Sequence, residues 1–391
     1  MRIGVDATCW ANPRGYGRFT RELLPEMVRL APQDTFVCFL DEGAAAVFSL
    51  DLPNVEKRLV SLSASQTTAA AAEGFRSPVD MLRLSAATAT AGLDVFFSPS
   101  VYTYYPLPPG LRAVITIHDA IADRYPELTL PSRRARVFWR IKVSMAIAQA
   151  RLIMTVSDYA AREIADVLRV TPARIRVAVE APAPAYAAAI ERQTVDAALA
   201  KHQLAGSQRW FVYVGGFNPH KNVDLLVRAH AQLTRELGPD APLLLLIGPR
   251  ATDVFHSDEA RIARVIEEEQ MQERVRWLGF VSDDDLRAIH SAAVGLILPS
   301  TCEGFGLPAV EAAACGAPVI ATTASPLPEL LEGGGLFIPP GRVDVVLDAL
   351  RTLATDEGAR TRMGRTAQQR ALSLSWTKAA RCALDALYEA A

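Results

Sequence analysis

Residues 301–318 read TCEGFGLPAVEAAACGAP and place two glutamates, Glu303 and Glu311, eight positions apart around a Gly-Phe-Gly-Leu-Pro hinge. Pro308 suits the first position of a helix, which puts Glu311 in its first turn, where an acid is favourable with or without a ligand. Glu303 instead falls in a loop flanked by glycine, where backbone N–H groups can approach a ligand closely. A loop carboxylate beside a helix N-terminus can take sugar hydroxyls while the amides take phosphate. In WFVYVGGFNPHKN, Lys221 stands at the start of a helix carrying Val223, Leu226, Val227 and Leu233. A cation there opposes the helix dipole by a few tenths of a kcal/mol, so the position suits either a bound anion or an exposed lysine that tolerates the cost. His118, at the carboxyl end of the strand AVITI, is either a group that exchanges protons near neutrality or a structural histidine. In NPRGYGRFTREL, Gly15 and Gly17 precede a helix whose N-terminus could face an anion, or they simply serve a tight turn. The third glycine of a dinucleotide fingerprint would fall at Thr20, which argues against a nicotinamide oxidoreductase.

Two further clusters have plain structural readings. Asp283 and Asp285 in SDDDLRAIH could hold a divalent metal with a diphosphate, but they sit where a helix begins and read as N-capping residues. SRRARVFWRIK sets Arg133, Arg136 and Arg140 on one helical side and Phe138, Ile141 and Met145 on another. That pattern reads as a surface helix with an apolar inner face; contact with a membrane or an anionic acceptor is the alternative.

Open α/β sheets bind ligands beyond the carboxyl ends of their strands, so these residues need strands behind them. Short apolar runs supply them: MRIGV, TFVCFL, DVFF, AVITI, RLIMTV, WFVYVG, LLLLIG, VRWLGF, VGLIL and APVIAT. Between many of these lie segments of helical period at Arg21–Leu30, Phe138–Ala150, Val223–Leu233 and Ala260–Met271. Alternation of this kind predicts parallel sheets covered by helices. It is interrupted at VAVEAPAPAYAAA, residues 177–189, which reads as a linker between two α/β halves. Residues 61–92, rich in Ser, Ala and Thr, read as part loop and part helix, and no fixed-period repeat is present.

With 41 Lys and Arg against 43 Asp and Glu, the net charge of −2 gives no global field for nucleic acid. No run of about 18 uncharged apolar residues exists, and Asp6 interrupts any secretory segment. Five cysteines without a CxxC pair fit a reducing compartment. The expectation is a cytoplasmic chain acting on small molecules.

The block EGFGLPAVEA followed by CGAPVIAT resembles the signature of the family-4 retaining glycosyltransferases. RIGVDAT…GYGRFTREL, VITIHDA, LIMTVSDYAAREI and YVGGFNPHKNVDLLV resemble the family's other segments in the right order, over essentially the whole chain. The resemblance implies the GT-B fold, two Rossmann-like domains facing a central cleft. Residues 1–183 would bind the acceptor, with helix 375–391 packing back on them, and residues 184–374 would bind the donor. It further implies that His118, Glu303 and Lys221 are catalytic: Lys221 neutralises the departing nucleoside diphosphate, Glu303 contacts the transferred sugar, and His118 lies over that sugar. Gly15 and Gly17 would approach the diphosphate, Glu311 would hold the ribose, and Val281 would meet the base through its backbone. Gly304, Phe305, Gly306 and Leu307 would present amides to the sugar and phosphate. Gly216 stands where the family often has arginine, and His220 or Arg18 could replace that cation.

Such an enzyme retains anomeric configuration and needs no metal and no cofactor beyond a GDP- or UDP-sugar. It would pass mannose or a related hexose to a glycan or lipid-linked acceptor, with peripheral contact at the inner membrane surface. An epimerase or hydrolase on the same plan and a non-catalytic two-lobed sugar-binding protein are the rival readings.

Overall fold

A computed structural model describes residues 1–13, 15–63, 77–130, 132–204, 208–249 and 257–391. Most of the Ser/Ala/Thr-rich loop expected within 61–92 lies outside the described residues, whereas its helical part is a helix at Pro78–Ala89. The chain divides into two units, Met1–Glu180 with Ser375–Ala391, and Ala181–Leu374. Six helices bear on function: α1 (Gly15–Leu30), α2 (Arg133–Gln149), α3 (Val223–Leu237), α4 (Asp283–Ser291), α5 (Leu307–Ala314) and α6 (Trp376–Ala390).

The first unit is built on seven parallel strands, β1 (Arg2–Asp6), β2 (Thr35–Leu40), β3 (Val55–Leu59), β4 (Val95–Ser98), β5 (Ala113–Thr116), β6 (Leu152–Thr155) and β7 (Ile175–Val177). Their order is β3-β2-β1-β4-β5-β6-β7, so the winding direction reverses between β1 and β4. Ile3 of β1 pairs with Phe36 on one side and Val95 on the other. The central strands are buried along nearly their whole length, as expected where helices cover both faces of a sheet. The edge strand β3, VEKRL, exposes Glu56 and Lys57, two of its three charged residues. Helix α6 returns to this unit and buries Ala379, Ala380, Ala383, Ala386 and Leu387. Its small side chains allow close approach to α1 and to strands β4 to β7. Tyr388 donates to Asp34 at 2.6 Å and Thr377 to Glu26 at 2.7 Å.

One expectation for α2 is reversed. Its inward face is Ala135, Trp139, Val143 and Ala146, while Phe138, Ile141 and Met145 are exposed. The sequence carries two apolar stripes, and the one with small residues around Trp139 docks. The indole stacks obliquely on Tyr102, with centroids 5.0 Å apart, and donates to Asp123 at 2.9 Å.

The second unit has six parallel strands, β8 (Trp210–Val214), β9 (Leu243–Ile247), β10 (Val275–Gly279), β11 (Gly295–Leu298), β12 (Val319–Thr322) and β13 (Gly335–Ile338). They run β10-β9-β8-β11-β12-β13, reversing between β8 and β11. Ligands of doubly wound sheets gather at such reversals, which draws attention to the loops that follow β8 and β11.

Candidate functional site

The loops after β8 and β11 are stitched together by their backbones. The Thr301 amide donates to the His220 carbonyl at 2.7 Å, and Asn222 Nδ2 donates to Pro299 O at 3.1 Å and to Thr301 Oγ1 at 3.2 Å. Asn222 adopts the left-handed conformation, φ 52°, which asparagine tolerates better than most residues. These contacts bring together two side chains 82 residues apart. Lys221 Nζ donates to both oxygens of Glu303, at 2.8 and 3.0 Å, and Ser300 Oγ donates to Glu303 Oε1 at 2.5 Å. Both members of the pair are largely withdrawn from solvent, with side chains 20% and 9% exposed. Lys221 closes a short 3₁₀ turn, Pro219–Lys221, immediately before the N-cap Asn222 of the following helix rather than inside that helix.

Helix α5 is preceded by Gly306 at its N-cap, whose φ of +88° and proximity to Leu327, 2.7 Å from where a Cβ would stand, favour glycine. Pro308 is the second helical residue, so Glu311 falls in the second turn instead of the first. Glu311, Gly304, Phe305 and Leu307 are all buried around this helix start. Burial, reinforced by the Glu311 charge, pushes the Cys315 thiol up to about 12, so Cys315 is a protonated, inert neighbour. At the end of β10, Val281 is buried, whereas Phe280 beside it is the most exposed large apolar side chain among the described residues, at 78%.

Gly216 is half-buried and its carbonyl accepts from the Tyr213 hydroxyl at 2.5 Å. The suggestion that His220 replaces the missing cation fails. Burial, and then the charge of Lys221, hold its imidazole down to about 3, so it is neutral at pH 7. Asp283 and Asp285 are not the cap of α4; Ser282 is, accepting from the Asp285 amide. Asp283 accepts from the Tyr186 hydroxyl at 2.8 Å, and Asp285 takes Lys201 at 2.6 Å and lies 3.0 Å from His202 Nε2. Both aspartates thus have structural partners.

In the first unit, Gly15 and Gly17 lie inside the first turn of α1 rather than before it, and neither has a positive φ. A Cβ on Gly17 would stand 2.0 Å from the Asn12 carbonyl oxygen, so close chain approach alone accounts for that glycine. Gly15 is exposed, and a Cβ there would meet nothing within 4 Å. His118 follows β5, its ring edge-on to Phe19 with centroids 4.9 Å apart. Its Nε2 lies 2.9 Å from the Pro99 carbonyl, which can only accept, so that nitrogen carries a proton. Nδ1 then faces the buried carboxylate of Glu180, 3.7 Å away. Ser300, Asn222 and Glu180 were not singled out from sequence; only position just after a strand could have flagged them.

Residues 13–178 match the family model described as Glycosyltransferase Family 4, and residues 195–370 match Glycosyl transferases group 1. O-antigen chain mannosyltransferase B of Escherichia coli is 32% identical over 275 residues, 68% of this chain and 68% of that one. The chain belongs to the family-4 glycosyltransferases. D-inositol 3-phosphate glycosyltransferase of Kineococcus radiotolerans is 32% identical over 249 residues, 59% of this family-4 chain and 55% of its own length. The fold of this glycosyltransferase is GT-B. Sucrose-phosphate synthase from Thermosynechococcus elongatus superposes with a TM-score of 0.74 at 19% identity, covering 99% of this chain and 98% of that one. WaaG, a glycosyltransferase involved in lipopolysaccharide biosynthesis, gives 0.73 at 16% identity with 99% of both chains covered.

Proposed function

We propose that this glycosyltransferase moves mannose or a related hexose from a nucleoside-diphosphate sugar to a glycan or lipid-linked acceptor, with retention of anomeric configuration and without a metal ion. The observation that carries the donor-site reading is the Lys221–Glu303 pair, held at the strand-order reversal of the second sheet beside the start of α5. Named relatives include mannosyltransferases that build O-antigen chains, which supports the choice of sugar and of a glycan acceptor.

In this reading the diphosphate arrives as a competing anion for Lys221. The lysine transfers its hydrogen bonds from Glu303 to phosphate oxygens, and Glu303 turns its acceptor oxygens to hydroxyls of the sugar. As the glycosidic bond breaks, negative charge grows on the leaving diphosphate, and Lys221 with the α5 N-terminus stabilises it without reorganising water. Glu311 takes the ribose hydroxyls, Val281 the base, and the amides of Gly304, Phe305, Gly306 and Leu307 the sugar and phosphate. Gly15 and Gly17, in the first turn of α1, and Gly216, in the loop after β8, are the proposed close approaches to the donor. His118, oriented by Pro99 and Glu180, is the proposed polar contact to the transferred sugar.

Thermal stabilisation by a panel of nucleoside diphosphates and nucleotide sugars, each with and without EDTA, tests the reading. A ligand at 100 times its dissociation constant adds about 2.7 kcal/mol. If no member of the panel shifts the melt, the donor-site assignment is wrong; if EDTA abolishes the shift, metal independence is wrong. Proton NMR of the first-formed product reads the anomeric configuration directly, and an inverted product would end the retaining assignment. Donor consumption without acceptor, at the full acceptor-dependent rate, would identify a hydrolase or epimerase instead.

A further inference from the structure

We propose that Glu180 binds the transferred sugar directly: beside Nδ1 of His118, it accepts hydrogen bonds from neighbouring hydroxyls of the hexose. The inference rests on the donor reading above and adds to it a residue that touches substrate. Glu180 is 4% exposed, yet among the described residues its one polar contact is His118 Nδ1, and at 3.7 Å that is no hydrogen bond. A buried carboxylate with no donor costs the fold free energy, so its presence calls for a reason outside packing. A ligand that brings the missing donors is such a reason. Glu180 lies in the proline-rich break of the sequence, where no spacing marks it.

The scaffold holds the two acceptors in place before any ligand arrives. His118 follows β5 and Glu180 follows β7, with β6 between them, so both stand at the carboxyl edge of the first sheet, where ligands of such sheets gather. The Ile117 amide donates to Met154 O at 2.9 Å and the Ala178 amide to Thr155 O at 2.8 Å, so the end of β6 pins both loops. With the Nε2 proton of His118 given to Pro99 and its ring edge-on to Phe19, the pair presents an unprotonated ring nitrogen beside a carboxylate. Two acceptors side by side repel phosphate and carboxylate groups and select a partner that supplies donors. Neighbouring hydroxyls of a hexose supply them without charge. The side chains are 13% and 5% exposed, a narrow opening that suits hydroxyl-sized groups. The pair therefore distinguishes the sugar end of the donor from its diphosphate.

The test is calorimetric titration of the full chain with GDP-mannose and with GDP, and in parallel with UDP-glucose and with UDP. Glu180→Gln should bind the diphosphate as wild type does and lose about tenfold or more in affinity for its nucleotide sugar, as expected when hydroxyls lose a charged acceptor. Glu180→Ala, which deletes both oxygens, should lose at least as much. The melting temperature of ligand-free Glu180→Gln should hold or rise, because an unpaired buried charge is gone. In a His118→Ala background, Glu180→Gln should still weaken nucleotide-sugar binding about threefold or more, an effect that a residue acting only through the imidazole could not produce. Unchanged nucleotide-sugar affinity in both Glu180 variants overturns the proposal, as does an equal loss for nucleotide sugar and diphosphate. A His118→Ala background in which Glu180→Gln costs nothing overturns it too. If neither diphosphate binds the wild-type chain, the donor-site reading itself fails and takes this inference with it.

Discussion

Glu303 is already engaged when no donor is bound, and its partner is the lysine proposed to neutralise the donor. Each side chain satisfies the other's buried charge, with Ser300 as a third member. Glu303→Gln removes a carboxylate that competes with phosphate for Lys221, so nucleoside-diphosphate affinity measured by calorimetry should hold or tighten. Transfer should fall steeply, and the ligand-free protein should lose about 1–3 kcal/mol because a half-hidden ammonium loses its counter-charge. Weaker diphosphate binding in that variant would show that Glu303 itself contacts the nucleotide. Lys221→Ala should lower kcat by about 100- to 1000-fold, the usual scale for removing a donor from developing negative charge. Glu311→Ala should act on binding, raising the diphosphate dissociation constant about tenfold or more, as befits loss of hydrogen bonds to a charged acceptor. The residue types of this site were legible in the sequence because their chemistry is unusual for loops. Their pairing was not: Lys221 and Glu303 meet through backbone bonds between His220 and Thr301 and through Asn222, a geometry that no local spacing encodes.

Among the elements, the start of α1 separates packing from ligand approach. Gly17→Ala must push a Cβ into the Asn12 carbonyl, so it should lower stability by about 1–3 kcal/mol in a chemical melt. Gly15→Ala faces open space in an ordinary helical conformation and should leave stability unchanged or slightly raised. A loss of donor affinity in Gly15→Ala without any change in the melt would therefore mark contact with ligand, whereas unchanged affinity would leave Gly15 with no functional role. The strand pattern was legible wherever both faces of a strand are covered. The three strands not visible as apolar runs, β3, β7 and β13, all lie at sheet edges. There a strand needs burial on fewer sides and carries polar residues, as Glu56, Lys57 and Arg58 show in β3. The inward face of α2 was misread for a related reason: periodicity reports an apolar stripe, but when a helix has two of them only the fit of small side chains against a neighbour chooses which one is buried.

For the whole molecule, acid acts unevenly. His220, His230 and His290 all belong to the second unit, and burial holds them at about 3, about 4 and about 3. Their folded values lie below the ordinary 6.5, so the unfolded chain binds protons that the fold refuses. The stability they permit is intact above pH 6.5 and drains away as pH falls toward 4, at up to about 1.4 kcal/mol per pH unit for each imidazole. His290 has no hydrogen-bond partner for either ring nitrogen among the described residues, so it behaves as an apolar filler. His290→Phe should flatten the pH dependence of urea unfolding below pH 6 with little loss at pH 7; an unchanged slope would mean that His290 already protonates within the fold. The two-unit order itself was legible from the proline-rich break near residue 180, since prolines interrupt the strand-helix alternation. The return of α6 to the first unit has a consequence in time. On the ribosome, residues 181–374 emerge whole and can fold as they appear, but the first unit must wait through their synthesis with the sides of α1 and of β4 to β7 uncovered. Its folding is complete only when the alanine-lined helix at residues 376–390 arrives, so the part made first is the part finished last.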